Sequence, residues 1–72
     1  MVYDDTFSIR VNGEHRRVPK GMTLGELALE LGLEPTRVAV ERNTEIVPRS
    51  TLQQVKIEDG DDLEIVTFVG GG

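Results

Sequence analysis

The sequence predicts an α+β fold in which one amphipathic helix packs on one face of a mixed sheet of four to five strands. Three observations carry this prediction. A β-hairpin pattern opens the 72-residue chain, one helical stripe of apolar residues follows it, and alternating apolar residues return near the end. A single helix among several strands buries its apolar stripe against one sheet face, which gives two layers.

The hairpin pattern is local and complete. Phe7, Ile9 and Val11 alternate with polar residues, which is the period of a half-buried strand. Asn12-Gly13 follows at once, and this dipeptide favours a two-residue turn because both central positions of a type I′ turn need positive φ. The second strand is expected to stop at Pro19, which has no N–H to donate to a sheet.

The helix is predicted from about Thr23 to Leu31. Thr23 and Glu26 have the spacing of a capping box, in which each side chain accepts a hydrogen bond from the other residue's backbone N–H. Gly32 lies where a left-handed C-terminal cap is usual. One apolar stripe follows the helical period: Leu24, Leu27, Ala28 and Leu31.

Three more strands are predicted after the helix. The first is Arg37–Arg42, with Val38 and Val40 on one face and Ala39 and Glu41 on the other. The second is Glu45–Val47, which ends at Pro48. The third runs from Asp62 to about Phe68, with Leu63, Ile65 and Thr67 on one face and Glu64, Val66 and Phe68 on the other. Arg49–Gln54 is predicted to be a loop or a single helical turn anchored by Leu52. If the last strand lies parallel to the first, both occupy the sheet centre, which is the topology of the β-grasp, or ubiquitin-like, fold.

We therefore expect one β-grasp domain over residues 1–69 and a flexible C-terminal glycine tail over residues 70–72. Gly70, Gly71 and Gly72 have no side chain to pack and lose the most backbone entropy on ordering. Such a segment is either a frayed end or a thin arm that offers the Gly72 carboxylate to the active site of another protein.

Composition excludes several classes of function. Lys plus Arg is 8 and Asp plus Glu is 13, a formal net charge of −5, which argues against nucleic-acid binding. The absence of cysteine excludes disulfides and thiolate nucleophiles. The N-terminus lacks the pattern of a signal peptide, and no apolar stretch approaches the ~20 residues that cross a bilayer. We expect a cytoplasmic protein without membrane contact, too small to hold a deep enzyme pocket beside its core.

Three features that could suggest a site have simpler interpretations. His15 has no serine, cysteine or acid at motif spacing, so a turn or surface position is expected. The acidic segment Glu58–Asp62 lacks the spaced ligands of a calcium loop and is predicted to be a solvated turn rather than a metal site. No glycine-rich phosphate-binding motif occurs, so any ATP would be bound by a partner. A solvated basic face is expected for Arg10, Arg16, Arg17 and Lys20.

Four stretches form an ordered set along nearly the whole chain after Phe7. They are Val11-Asn12-Gly13-Glu14; Thr23–Leu27 with Leu31-Gly32-Leu33; Arg37–Asn43 continuing into Ile46–Arg49; and Glu58–Val66 continuing into Phe68–Gly72. In these stretches the chain resembles the ThiS family, the sulfur carriers of thiamin biosynthesis. Thr44 departs from the family pattern, because it stands where a glycine usually follows the asparagine.

The resemblance implies a function for the tail. An E1-like enzyme of the ThiF type would adenylate the Gly72 carboxylate with ATP, and a sulfur donor such as a cysteine desulfurase would convert the adenylate to a thiocarboxylate. The thiocarboxylate would then deliver sulfur to a thiazole synthase of the ThiG type. The chain would be a protein co-substrate, with no catalytic residue or bound cofactor of its own.

The uncovered sheet face suggests where such partners dock. Alternation places Val66 and Phe68 on that face, with Ala39 as a possible neighbour and Val69 next to the tail. Exposed apolar side chains beside a functional tail indicate an interface. The alternative is that Phe68 folds onto the edge of the sheet.

The sequence leaves three other functions open. The small subunit of molybdopterin synthase also carries sulfur on a terminal glycine, although prolines tend to precede its glycines where this chain has Thr67-Phe68-Val69. A ubiquitin-like modifier would join the same carboxylate to lysines. A binding module of the TGS type would have no use for free glycines.

Overall fold

Five strands and one helix make up the part of the chain that the computed structural model describes, residues 5–68. The elements are β1 (Thr6–Val11), β2 (Glu14–Pro19), α1 (Leu24–Glu30), β3 (Val38–Arg42), β4 (Glu45–Val47) and β5 (Asp62–Thr67). The sheet order is β2-β1-β5-β3-β4. Only the β1–β5 pair among these is parallel, so the predicted α+β architecture with a central parallel pair is confirmed.

The first hairpin forms as the sequence predicts. Phe7 pairs with Val18 and Val11 with Glu14. The two turn residues, Asn12 and Gly13, have φ of 52° and 86°, so both take the positive φ that a type I′ turn requires.

Helix α1 carries the predicted caps at both ends. Thr23 Oγ1 accepts a hydrogen bond from the Glu26 N–H at 3.1 Å, and Glu26 Oε1 accepts one from the Thr23 N–H at 2.8 Å. Gly32 has φ of 81°, and the Leu33 N–H reaches back to the Ala28 carbonyl at 2.9 Å. This closing bond is that of a Schellman cap and turns Leu33 toward the core. Among residues 5–68 no helix is long and apolar enough to cross a membrane.

The core fills the space between α1 and one face of the sheet. Residues of every layer are buried there: Ile9, Val11, Val18, Leu24, Leu27, Ala28, Val38, Val40, Leu52, Ile57, Leu63 and Ile65. Leu52 follows the 3₁₀ turn Arg49–Thr51 and anchors that segment, as predicted. Since α1 covers one sheet face, the opposite face remains open to solvent.

The acidic segment differs from the predicted solvated turn at one residue. Asp61 is 4% exposed, because the fold supplies partners for both carboxylate oxygens. Oδ2 accepts the Glu58 N–H at 2.8 Å and lies 2.9 Å from Arg42 Nε, while Oδ1 accepts from Asn43 Nδ2 at 3.1 Å. The Arg42 Nε–H is not aligned for a hydrogen bond, so that contact is an ion pair by proximity alone. The prediction of full solvation was wrong for Asp61, which fastens the turn to the end of β3.

Candidate functional site

Strand β5 directs the chain toward the predicted tail from the middle of the sheet. Leu63 and Ile65 fix the strand in the core. One residue beyond the strand, the Phe68 N–H donates to the Arg37 carbonyl at 2.8 Å. Val69, Gly70, Gly71 and Gly72, for which docking, tail and modification roles are predicted, lie outside the described residues.

An arginine lies over the Phe68 ring. The guanidinium carbon of Arg49 lies 4.9 Å from the ring centroid, a cation–π distance, and Arg49 Nε donates to the Val38 carbonyl at 3.3 Å. The ring remains 47% exposed. Phe68 therefore has both a contact within the fold and a surface that a partner can reach. The sequence contains no local signal for this pairing, because the two residues come together only through the order of β3, β4 and β5.

Apolar side chains collect on the open face across β4, β3 and β5. Val66 is 58% exposed and pairs directly with the half-buried Ala39, as the predicted docking surface requires. Ile46 on β4 is 77% exposed, and sequence reasoning did not assign it a role. Its exposure follows from its pairing with Glu41, which puts both side chains on the open face. These residues line a groove of about 150 Å³.

Charges on the open face are separated into two halves. Glu41 on β3 pairs directly with Glu64 on β5, beside the apolar groove. On β1 and β2 the cross-strand pairs are Arg10 with His15 and Ser8 with Arg17. The open face therefore changes from basic over β1 and β2 to acidic and apolar over β5, β3 and β4.

Two asparagine side chains hold β5 in place from its neighbouring turns. Asn12 Oδ1 accepts the Ile65 N–H at 2.8 Å, and Asn12 Nδ2 donates to the Ile65 carbonyl at 3.1 Å. The side-chain amide thus continues the β1–β5 ladder after the β1 backbone has turned away. Asn43 acts similarly at the strand's start, where its Oδ1 accepts the Asp62 N–H at 2.9 Å. The strand that leads to the tail is fixed at both flanks.

His15 is exposed, as predicted, but the fold gives it a partner that spacing alone did not reveal. Its Nε2 lies 2.6 Å from Ser8 Oγ across the hairpin. Among the described residues no acidic side chain hydrogen-bonds to the ring, so the pair lacks the orienting group of a nucleophile triad. A groove of about 290 Å³ lined in part by His15 and Val11 lies at the opposite end of the sheet from Phe68, since Val11 pairs with Leu63 near the start of β5.

The predicted basic cluster does not form one surface. Arg16 lies on the helix side, with its Nη2 3.0 Å from Glu30 Oε1. The Lys20 ammonium lies 5.6 Å from the centroid of the Phe7 ring. Arg17 Nε donates to Thr6 Oγ1 at 2.8 Å. Within residues 5–68 no three His, Asp or Glu side chains are grouped so that they could hold a metal ion.

The sheet order, the single helix and the central parallel pair define a ubiquitin-like β-grasp domain whose middle strand is the last one in the sequence. A model of the ThiS family matches residues 9–72. The chain belongs to the ThiS family.

Similar proteins carry related names. Sulfur carrier protein ThiS of Bacillus subtilis is 38% identical over 65 residues, which cover 89% of this chain and 98% of that protein. The crystal structure of thiamine biosynthesis protein ThiS from Geobacter metallireducens superposes with a TM-score of 0.75 at 30% identity, covering 92% of this chain and all of that one. A thiazole synthase of Paramagnetospirillum magneticum is 55% identical over 62 residues, 86% of this chain. The chain spans about a fifth (19%) of the length of that thiazole synthase.

Proposed function

We propose that this protein is a sulfur carrier of thiamin biosynthesis and that the Gly72 carboxylate is the group that carries sulfur. The observation that supports this most directly is the family match, which continues through Gly72. The fold is suited to the role, because the strand that immediately precedes the C-terminal residues, β5, lies at the centre of the sheet and is fixed on both sides. The partner enzyme binds the folded domain and modifies the glycine end.

The chemistry begins with activation, because a carboxylate oxygen is a poor leaving group. An E1-like partner joins the Gly72 carboxylate to the α-phosphate of ATP, which releases pyrophosphate and leaves an acyl adenylate. Sulfur at the oxidation level of sulfide then attacks the acyl carbon, AMP departs, and a thiocarboxylate remains. A persulfide donor such as a cysteine desulfurase can supply this sulfur when a thiol reduces the S–S bond.

Glycine is the residue that this activation favours. An adenylating site must enclose a narrow chain end and bring the carboxylate against the α-phosphate in reactive geometry. A Cβ at Gly71 or Gly72 would crowd that approach. Three extended residues span about 10 Å, which lets the terminal carboxylate enter a cleft while the domain stays outside.

The open face is the proposed docking surface. Val66, Ala39 and the half-exposed Phe68 form the part predicted from sequence, and Ile46 extends it. Val69 joins them in sequence between Phe68 and the glycines. Exposed apolar residues beside polar ones are the usual composition of an interface, and aromatic anchors contribute more than their share of binding energy.

Thiazole synthase is the proposed recipient of the sulfur. A protein of that name contains a segment 55% identical to this chain, and a second, from Magnetococcus marinus, contains one that is 44% identical. A domain of this kind therefore occurs within chains named for the thiazole-forming reaction. This supports the thiamin branch over the molybdenum-cofactor branch and over protein modification.

Adenylation tests the activation step. With an E1-like activating enzyme of the ThiF type, the chain ending at Gly72 should support exchange of labelled pyrophosphate into ATP. A variant with one alanine added after Gly72 should lose that exchange, since the added Cβ and displaced carboxylate no longer fit. Its thermal unfolding should match that of the parent chain, which separates loss of activation from loss of fold. Exchange that survives the extension would contradict a role for a free Gly72 carboxylate.

A further inference from the structure

The cross-strand pair Glu41 and Glu64 has no structural purpose that the described fold reveals. The two residues lie directly opposite each other in the antiparallel β3–β5 pair, and both side chains are exposed. Like charges in that position repel each other and weaken the sheet. Within residues 5–68 neither carboxylate takes part in a hydrogen bond or an ion pair, whereas Asp61 on the preceding turn is fully partnered.

The surroundings of the pair are apolar. Glu41 and Glu64 line the same groove as Ala39, Ile46 and Val66. A partner that covers this groove removes water from the two carboxylates, and a desolvated negative pair without a counter-charge is strongly unfavourable. The partner must therefore bring a cation into the groove together with its apolar contact.

We propose that Glu41 and Glu64 together receive an arginine or lysine side chain that projects from an apolar patch of the E1-like activating enzyme, and that this contact selects the carrier. This inference rests on the proposed function, since it assigns the cation to the enzyme that activates Gly72. The other half of the face is less suited to that cation, because it carries Arg10 and Arg17, and the one acid opposite them in the register is Asp62, which pairs with Arg10. The charge separation thereby fixes how the domain sits when its tail enters the active site.

A double variant at these two positions should gain stability and lose recognition by the activating enzyme. Replacing both residues (Glu41→Gln and Glu64→Gln) removes the repulsion and should raise the thermal midpoint of the free chain by about 2–5 °C. The same double variant should raise KM for the carrier in pyrophosphate exchange about tenfold, with kcat within twofold of the parent. A gain in stability together with a loss in recognition is characteristic of residues retained for function.

Glu14→Gln with Glu45→Gln is the matched control. It changes the net charge by the same amount, both residues are exposed, and their registers opposite Val11 and Arg42 place them off the open face. The control should leave KM within twofold, because its two residues lie away from the proposed contact. A general effect of net charge would instead change KM of both double variants equally.

The experiment distinguishes failure of this inference from failure of the proposed function. If the parent chain supports no exchange with an enzyme that activates another ThiS-family carrier, the proposed function is wrong. If the parent is activated and the Glu41/Glu64 variant has an unchanged KM, this inference alone is wrong. A normal KM with impaired sulfur delivery to thiazole synthase, or a carboxylate-dependent dimer of the free chain in sedimentation, would also overturn it by assigning the groove to a different occupant.

Discussion

At the scale of single residues, the fold depends on side chains that occupy unusual backbone or burial positions. Asn12, Asn43 and Thr44 all have positive φ, and two of them are asparagines whose amides bind the adjacent strand. Thr44 is the exception, with φ of 72° and an exposed side chain. A β-branched residue is strained there because its Cβ approaches the backbone oxygen.

Thr44 is therefore a site where a substitution should stabilise the protein. Thr44→Gly removes the steric strain of the left-handed conformation and creates an Asn-Gly turn, so we expect a gain of about 0.5–1 kcal/mol in the free energy of unfolding. Urea titration at unchanged m-value measures it. Thr44→Ala keeps a Cβ at positive φ and should recover less. A loss of stability in the glycine variant would mean that the threonine side chain makes a contact that offsets the strain.

At the scale of elements, β5 is the strand on which the fold and the proposed function both depend. It pairs in parallel with β1 over two registered residue pairs, Arg10 with Asp62 and Val11 with Leu63. Beyond these pairs, the side-chain amide of Asn12 takes the place of a β1 backbone partner and hydrogen-bonds with the backbone of Ile65. Without that amide, the part of β5 nearest the tail would be joined to the sheet on the β3 side alone.

Asn12→Gly isolates the contribution of this side chain, because glycine keeps the positive φ of the turn. We expect a loss of about 1–3 kcal/mol in the free energy of unfolding, from two lost hydrogen bonds and the unpaired Ile65 backbone groups. Native-state hydrogen exchange should show faster exchange at the Ile65 amide, with less change at the Glu64 amide, which alternation turns toward β3. An equal increase in the exchange rate at both amides would contradict this, because it would indicate general loosening of the strand and not the loss of the Asn12 hydrogen bonds.

At the scale of the whole molecule, the features predicted from sequence are those encoded over a few neighbouring residues. Asn12-Gly13 and the Thr23–Glu26 box specify their turn and cap without help from the rest of the chain, and both formed as predicted. The position of Val66 beside Ala39 followed from alternation together with the central placement of the last strand.

The features that sequence reasoning missed depend on contacts between distant segments. The burial of Asp61 requires Arg42 and Asn43 to arrive from β3 and its turn. Arg49 stacks on Phe68, and Glu41 lies opposite Glu64. Both contacts follow from the pairing of distant strands, which a local sequence pattern does not predict. Each lies around β5, where three separate parts of the chain meet.

The central claim is that this domain exists to carry sulfur on Gly72, and intact-mass measurement tests it most directly. After incubation with ATP, an activating enzyme and sulfide, the account predicts that one oxygen of the chain is replaced by sulfur, with fragmentation locating the change at Gly72. Omitting ATP should leave the mass unchanged. An unmodified chain, under conditions that convert another ThiS-family carrier in parallel, would contradict the account.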